Sequence, residues 1–218
     1  MNLVRLLHVP KTGGTSLGKA SKEALGDQSF KEKGRGTDPR LLLHLRTTGK
    51  GRWVLGDKEG ARRCLEEADA RFIWGHGEYS KWSWLVPAER TIVIFRDPIQ
   101  RIVSQYQHRL RIASQTGRHP GPFDDFAKEH HNRHSRDVED LDLSKACVGF
   151  TDHFEETVAR VNRRFGFEFE TIRHNANPYR PAGAQYDVDS DTEAFLRELN
   201  AEDYRLLAEV ERVWKAQS

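Results

Sequence analysis

Three short runs in this chain carry side chains that can do chemistry. Residues 10–16, Pro-Lys-Thr-Gly-Gly-Thr-Ser, follow an apolar stretch and precede a helical pattern, so they read as a glycine loop between a strand and a helix. Gly13 and Gly14 let several backbone N–H groups turn toward one anion, and the positive end of a helix dipole favours negative charge there. Lys11 adds a point charge, and Thr12, Thr15 and Ser16 add hydroxyl donors. A phosphate, or a group of that shape, suits such a loop; a glycine-rich turn with incidental polar residues is the competing reading. The nucleoside-triphosphate loop GxxxxGK[ST] is absent, because the lysine stands before the glycines rather than after them.

The second run is Arg96-Asp-Pro-Ile-Gln-Arg-Ile-Val-Ser104. Arg96 ends a β-branched stretch, where a guanidinium can offer its fork of donors to a phosphate. Ser104, two turns into the next helix, can offer a hydroxyl to the same anion. Asp97 reads as a helix cap with Pro98 at the first helical position, and Arg101 as its ion-pair partner or a surface residue. An ordinary capped strand-to-helix turn explains the same residues.

The third run is Gly75-His76-Gly77. A histidine between glycines can approach a substrate closely and accept a proton near neutral pH. His8 is a rival for that task, although its place in a strand favours packing. Glu78 either acts as base, orients His76 or faces solvent. The segment Tyr79-Ser80-Lys81-Trp82-Ser83-Trp84 suits stacking on a sugar and suits filling a core equally well.

Several elements have to position these runs. Residues 3–9, 71–74 and 91–95 read as short buried strands, the last (Thr-Ile-Val-Ile-Phe) most clearly. Helical spacing is evident from Ser16 to Gly26, over 60–68, from Pro98 through Leu110, from Phe154 to Gly166, and over 194–214. Residues 167–172 read as a strand, 174–183 as a loop, and 27–52 as a polar, mobile or acceptor-specific segment. Alternating strands and helices predict a parallel sheet flanked by helices, with ligands beyond the carboxyl ends of its strands. If the three strands are neighbours, all three runs meet in one cleft. No repeat, linker or low-complexity tract divides residues 1–218, which reads as a single domain.

Together these runs resemble the PAPS-dependent sulfotransferases, enzymes that draw on 3′-phosphoadenosine 5′-phosphosulfate. The likeness is greatest to the carbohydrate branch that includes the heparan sulfate 2-O- and 6-O-sulfotransferases. HVPKTGGTSL resembles that family's 5′-phosphosulfate loop, RDPIQRIVSQY its 3′-phosphate block, and FIWGHGEYSKW the segment bearing its catalytic histidine. VGFTDHFEETV and LNAEDYRLLAEV resemble later blocks in the same order, while residues 27–70 and 112–143 match nothing. The resemblance implies a P-loop-like three-layer α/β sandwich and sulfuryl transfer from PAPS to a carbohydrate or other small-molecule hydroxyl, leaving PAP. It implies that Lys11, Thr12, Gly13, Gly14, Thr15 and Ser16 hold the 5′-phosphosulfate, and that Arg96 and Ser104 hold the 3′-phosphate. His76 becomes the general base, Lys11 the stabiliser of the leaving group, and Thr151 with residues 177–180 contacts to the adenine or 3′-phosphate. The chain is short for that branch, which implies reduced acceptor-binding elements.

Composition narrows the alternatives. The 218 residues carry a formal charge of only +2, which argues against a nucleic-acid binder held by phosphate contacts. Cys64 and Cys147 lack CxxC spacing and are expected to be free thiols. His130, His131 and His134 lack the further ligands of a zinc site, so a solvated helical face is expected and no metal is required. No apolar run reaches membrane-spanning length, and the strand-like N-terminus leaves no room for a signal peptide, so the expected location is cytoplasmic. A P-loop-type nucleotide kinase or other phosphotransferase, and a non-catalytic nucleotide-binding protein, remain the competing functions. The sequence does not specify the oligomeric state.

Overall fold

The computed structural model describes residues 2–32, 37–47, 53–171 and 184–217. Among these residues, seven strands form two sheets. β1 (Val4–Leu7), β2 (Ser29–Lys31), β5 (Phe72–Gly75), β6 (Thr91–Phe95) and β7 (Cys147–Phe150) make the central sheet; β3 (Leu45–Thr47) and β4 (Trp53–Leu55) make a small antiparallel ribbon. The central order is β2-β5-β1-β6-β7, and every pairing is parallel.

Both faces of the sheet are covered, so β5, β6 and β7 read as nearly continuous apolar runs, as buried parallel strands do. Side chains alternate along each strand. Val4, Leu6, Ile92 and Ile94 point to one face, where they meet Leu17 and Ala20 of α1 (Gly14–Leu25) and Phe154, Val158 and Val161 of α7 (Phe154–Phe165). Leu7, Val93, Phe95 and Val148 point to the other, where Val210 and Trp214 of α9 (Ala201–Ala216) close over them. A third cluster joins Phe30 and Ile73 to Leu41 of α2 (Pro39–Leu42) and to Ala61 and Leu65 of α3 (Lys58–Glu67). A fourth joins Ile99, Ile102 and Val103 of α4 (Pro98–Thr116) to Ala127 of α5 (Phe123–His130) and Leu196 of α8 (Ser190–Leu199). The result is the parallel sheet flanked by helices expected from the alternation of elements, in the three-layer α/β form that the resemblance implies.

The three expected strands are therefore neighbours: β1 lies between β5 and β6, and the runs that follow them leave the same edge of the sheet. The caps follow local chemistry. Asp97 accepts from the Gln100 N–H at 2.9 Å with Pro98 next to it, and Gly166 ends α7 at φ 67.

One expectation fails. Residues 167–171 form no strand: the Asn162 amide bonds both the N–H (3.0 Å) and the C=O (2.9 Å) of Phe169, satisfying the backbone as a neighbouring strand would. Phe167 and Phe169 then pack edge-on against Phe72. Residue 172 lies outside the described residues. Within the segment 27–52, read from the sequence as polar and mobile or acceptor-specific, Ser29–Lys31 adds the edge strand β2. Trp82 belongs to the core, fully buried, with its indole N–H donated to the Glu32 carboxylate.

That carboxylate anchors a buried ionic knot. Glu32 and Arg5 are each 0% exposed; the Lys81 ammonium lies 2.9 Å from one Glu32 oxygen, and the Arg5 guanidinium 3.9 Å from the other. Arg5 also donates to the carbonyls of Tyr79 (2.8 Å) and Glu78 (2.9 Å), which ties the chain after His76 to the sheet. Removing one partner of such a knot strands the other charges in the interior, at a cost of about 3–5 kcal/mol. Urea unfolding of Glu32→Gln should therefore show a loss of about 3 kcal/mol. A change within a few tenths of a kcal/mol would contradict the knot.

Candidate active site

The glycine loop is built as a helix start without a cap. Lys11 and Gly13 both take left-handed backbone conformations, with φ of 70 and 87, and Gly13 occupies the N-cap position of α1. No side chain caps α1 and no acid sits in its first turn, whereas Asp97 caps α4. Ser16 and Leu17 turn their N–H groups back to the Gly13 carbonyl, so the N–H groups of Gly14 and Thr15 are the ones set to meet an incoming anion. Thr12 is nearly fully buried and donates its hydroxyl to the Val9 carbonyl at 2.9 Å, so its side chain shapes the turn. Ser16, also buried, gives its N–H to the Gly13 carbonyl at 2.9 Å, and Thr15 is half-buried.

Gly14 is needed for space. A Cβ there would stand 2.2 Å from the His8 ring, too close for any real side chain.

Arg96 meets this loop directly. Its guanidinium donates to the Lys11 carbonyl at 3.1 Å, while its own carbonyl accepts from His134 Nε2–H at 3.0 Å. Thr151, from the turn after β7, places its hydroxyl 2.9 Å from the Thr12 carbonyl and 3.1 Å from that of Phe95, tying the loop to the end of β6. Ser104 is 6% exposed on α4. His108 and Arg111 follow it at positions four and seven further on, one stripe of the helix. Burial, with the positive charge of Arg111 and then Arg96, lowers Lys11 to about 8. Burial, then Lys11 and Arg111, also lowers His108. A lysine pressed this way gains from an anion that neutralises the cluster.

His76 sits where β5 ends. Its Nδ1 lies 2.7 Å from the carbonyl oxygen of His8. A carbonyl can only accept, so Nδ1 carries the hydrogen, and in the neutral ring Nε2 keeps its lone pair. The His8 ring stacks on the His76 ring, centroids 4.1 Å apart and planes 28° apart. His8 therefore packs beside the candidate base, as its strand position suggested, and burial pushes its pKa well down. The Glu78 side chain is exposed, and the group set against His76 Nδ1 is the His8 carbonyl.

The structure thus gathers Lys11, Thr12, Gly13, Gly14, Thr15, Ser16, Arg96 and His76 at the ends of three adjacent strands, with Ser104 one helix turn and more beyond. Residues 177–180 lie outside the described residues.

Two sequence expectations need correction. His134 is not on a solvated face: it is fully buried, and burial lowers it to about 4, leaving it a neutral prop behind Arg96. Its neighbour His130 stacks on Phe126 with centroids 4.0 Å apart. Arg101 neither pairs with Asp97 nor reaches the surface. It is buried, donating to Gln105 at 2.9 Å and to the His130 carbonyl at 2.5 Å, and the second Asp97 oxygen accepts from the Tyr204 hydroxyl at 3.0 Å. The props His134, Arg5 and Glu32 carry no local motif, since each acts through a partner distant in the chain.

Among the described residues, no group of three or more His, Cys, Asp or Glu could hold a metal ion, and no helix is long and apolar enough to cross a membrane. Cys147 is a buried free thiol, raised to about 11 by that burial, and Cys64 is a half-buried free one. A search of curated proteins finds no match to this sequence. The model of the sulfotransferase family, by contrast, matches residues 3–208 and so takes in all three runs and every element of the central sheet. The chain belongs to the sulfotransferase family, and its chemistry is sulfuryl transfer.

Proposed function

We propose that the sulfuryl donor is PAPS and that the acceptor is a hydroxyl of a carbohydrate or other small molecule, deprotonated by His76. The observation that carries this reading is the start of α1, which no side chain caps and whose preceding Lys11 carbonyl is held by Arg96, with His76 bonded to and stacked on the same His8 whose ring lies against Gly14. The residues suit the donor: open N–H groups and a lysine for one anionic end, Arg96 and Ser104 for the other.

When bound, PAPS supplies the sulfuryl group and a phosphate leaving group. Lys11 and the N–H groups of α1 hold the 5′ end and meet the charge that grows on the leaving oxygen, an electrostatic effect preorganised before reaction. Arg96 and Ser104 hold the 3′-phosphate and fix the donor's position. His76 Nε2 takes the acceptor's hydroxyl proton as the new oxygen–sulfur bond forms.

Two measurements bear on this reading. Transfer of labelled sulfate from PAPS to a panel of sugars, phenols and alcohols should give product without added metal; an inert panel combined with transfer from ATP to the same acceptors would remove the proposal. Arg96→Ala should weaken PAP by roughly 10–100-fold, as loss of a charge-assisted contact does. The same change should barely alter the affinity of adenosine 5′-phosphosulfate, which has no 3′-phosphate. Equal weakening of both ligands would take Arg96 out of the 3′ site.

A further inference from the structure

We infer that His8 is the positioning residue for His76 and registers the base to the anion loop. This rests on the reading of His76 as base and goes one residue deeper.

Three observations carry it. The backbone carbonyl of His8 accepts from His76 Nδ1–H at 2.7 Å, which leaves Nε2 as the lone-pair nitrogen. The ring of the same residue lies flat against the His76 ring at 4.1 Å, which sets the plane in which that lone pair points. The His8 ring also lies within 2.2 Å of the place a side chain on Gly14 would occupy, so the anion loop closes directly over it. One residue therefore touches the base twice and the loop once.

His8 is 4% exposed, and its Nδ1 is buried with no hydrogen-bond partner among the described residues, so the ring serves as an apolar shelf. The other charged groups acting on it are Lys31 at the end of β2 and Lys11 in the loop; both, with His76, favour its neutral form. A neutral shelf adds no charge beside the donor site. Leucine or alanine in its place leaves the main-chain bond intact but lets the His76 ring rotate about it. Small errors in the aim of a reacting group cost on the order of 10²-fold in rate.

The test uses the full chain saturated with PAP. In nitrogen-15 spectra of the imidazole side chains, with His76 assigned by its loss in His76→Ala, the unaltered protein should show a single His76 tautomer with Nδ1–H protected from solvent. His8→Phe, which keeps a flat ring, should preserve that signature and most of the turnover. His8→Leu and His8→Ala should average the tautomers and expose Nδ1–H, with kcat down on the order of 10²-fold and PAP affinity within about threefold. A His76 signature and kcat unchanged in both His8→Leu and His8→Ala would overturn the inference, as would an equal loss in His8→Phe. If His76→Ala retained turnover, the base assignment would fail by itself, and the tautomer spectra would still decide whether His8 orients the ring.

Discussion

His76→Ala is expected to reduce turnover by 10²–10⁴-fold, the contribution a positioned general base typically makes, while PAP affinity changes less than about threefold. The reasoning is geometric. The hydrogen on Nδ1 is set against the His8 carbonyl, so Nε2 is the candidate acceptor of a proton. His76 is half-buried, sits between two glycines and bonds to the protein through the opposite edge of its ring. Removing it deletes a proton acceptor without touching the N–H groups of α1, Lys11 or Arg96. Single-turnover rates with saturating PAPS, paired with PAP titrations, separate the two quantities. A variant that turns over normally, or one that loses PAP and keeps its single-turnover rate, contradicts the assignment.

Lys11→Ala is expected to damage both quantities. A charge-assisted contact of about 1.5–3 kcal/mol corresponds to roughly 10–100-fold in PAP affinity, and losing a donor aimed at developing charge costs a further 10²–10³-fold in kcat. The pH dependence gives an independent handle. Lys11 has been lowered to about 8 by burial and by its cationic neighbours. Being a base with a depressed pKa, it is mostly protonated at pH 7 and mostly neutral by pH 9. The cation is the form that attracts an anion, so PAP affinity should decline as pH rises through 8 and beyond, with proton uptake on binding in that range. Lys11→Arg, charged throughout, should flatten the decline. Calorimetry at several pH values measures the affinity and the proton uptake together, and a flat profile for the unaltered protein would show that the Lys11 charge plays no part.

What the sequence revealed, and what it hid, follows from the range of the forces involved. The strand 91–95 was legible because five β-branched or aromatic residues leave little choice of conformation, and the start of α4 because Asp97 and Pro98 act on their own neighbours. The glycine loop was legible for the same reason. The edge strand β2 was hidden: Ser29, Phe30 and Lys31 form a strand because β5 offers them partners, which is a property of the fold. Phe167 and Phe169 looked like a strand and are not one, because the Asn162 side chain occupies the position a neighbouring strand would take. His134 looked solvated among charged neighbours, yet the β6 end draws its ring inward to the Arg96 carbonyl. Trp82 was balanced between sugar and core, and the buried Glu32 carboxylate decides for core. Local structure set by consecutive residues was readable; contacts between residues far apart in the chain were not.

One titration reaches the centre of the account. PAP added to the purified protein without magnesium should bind tightly at one site, and magnesium with ATP should bind far more weakly. Tight binding of magnesium and ATP with no detectable binding of PAP would contradict a loop built for a sulfated nucleotide.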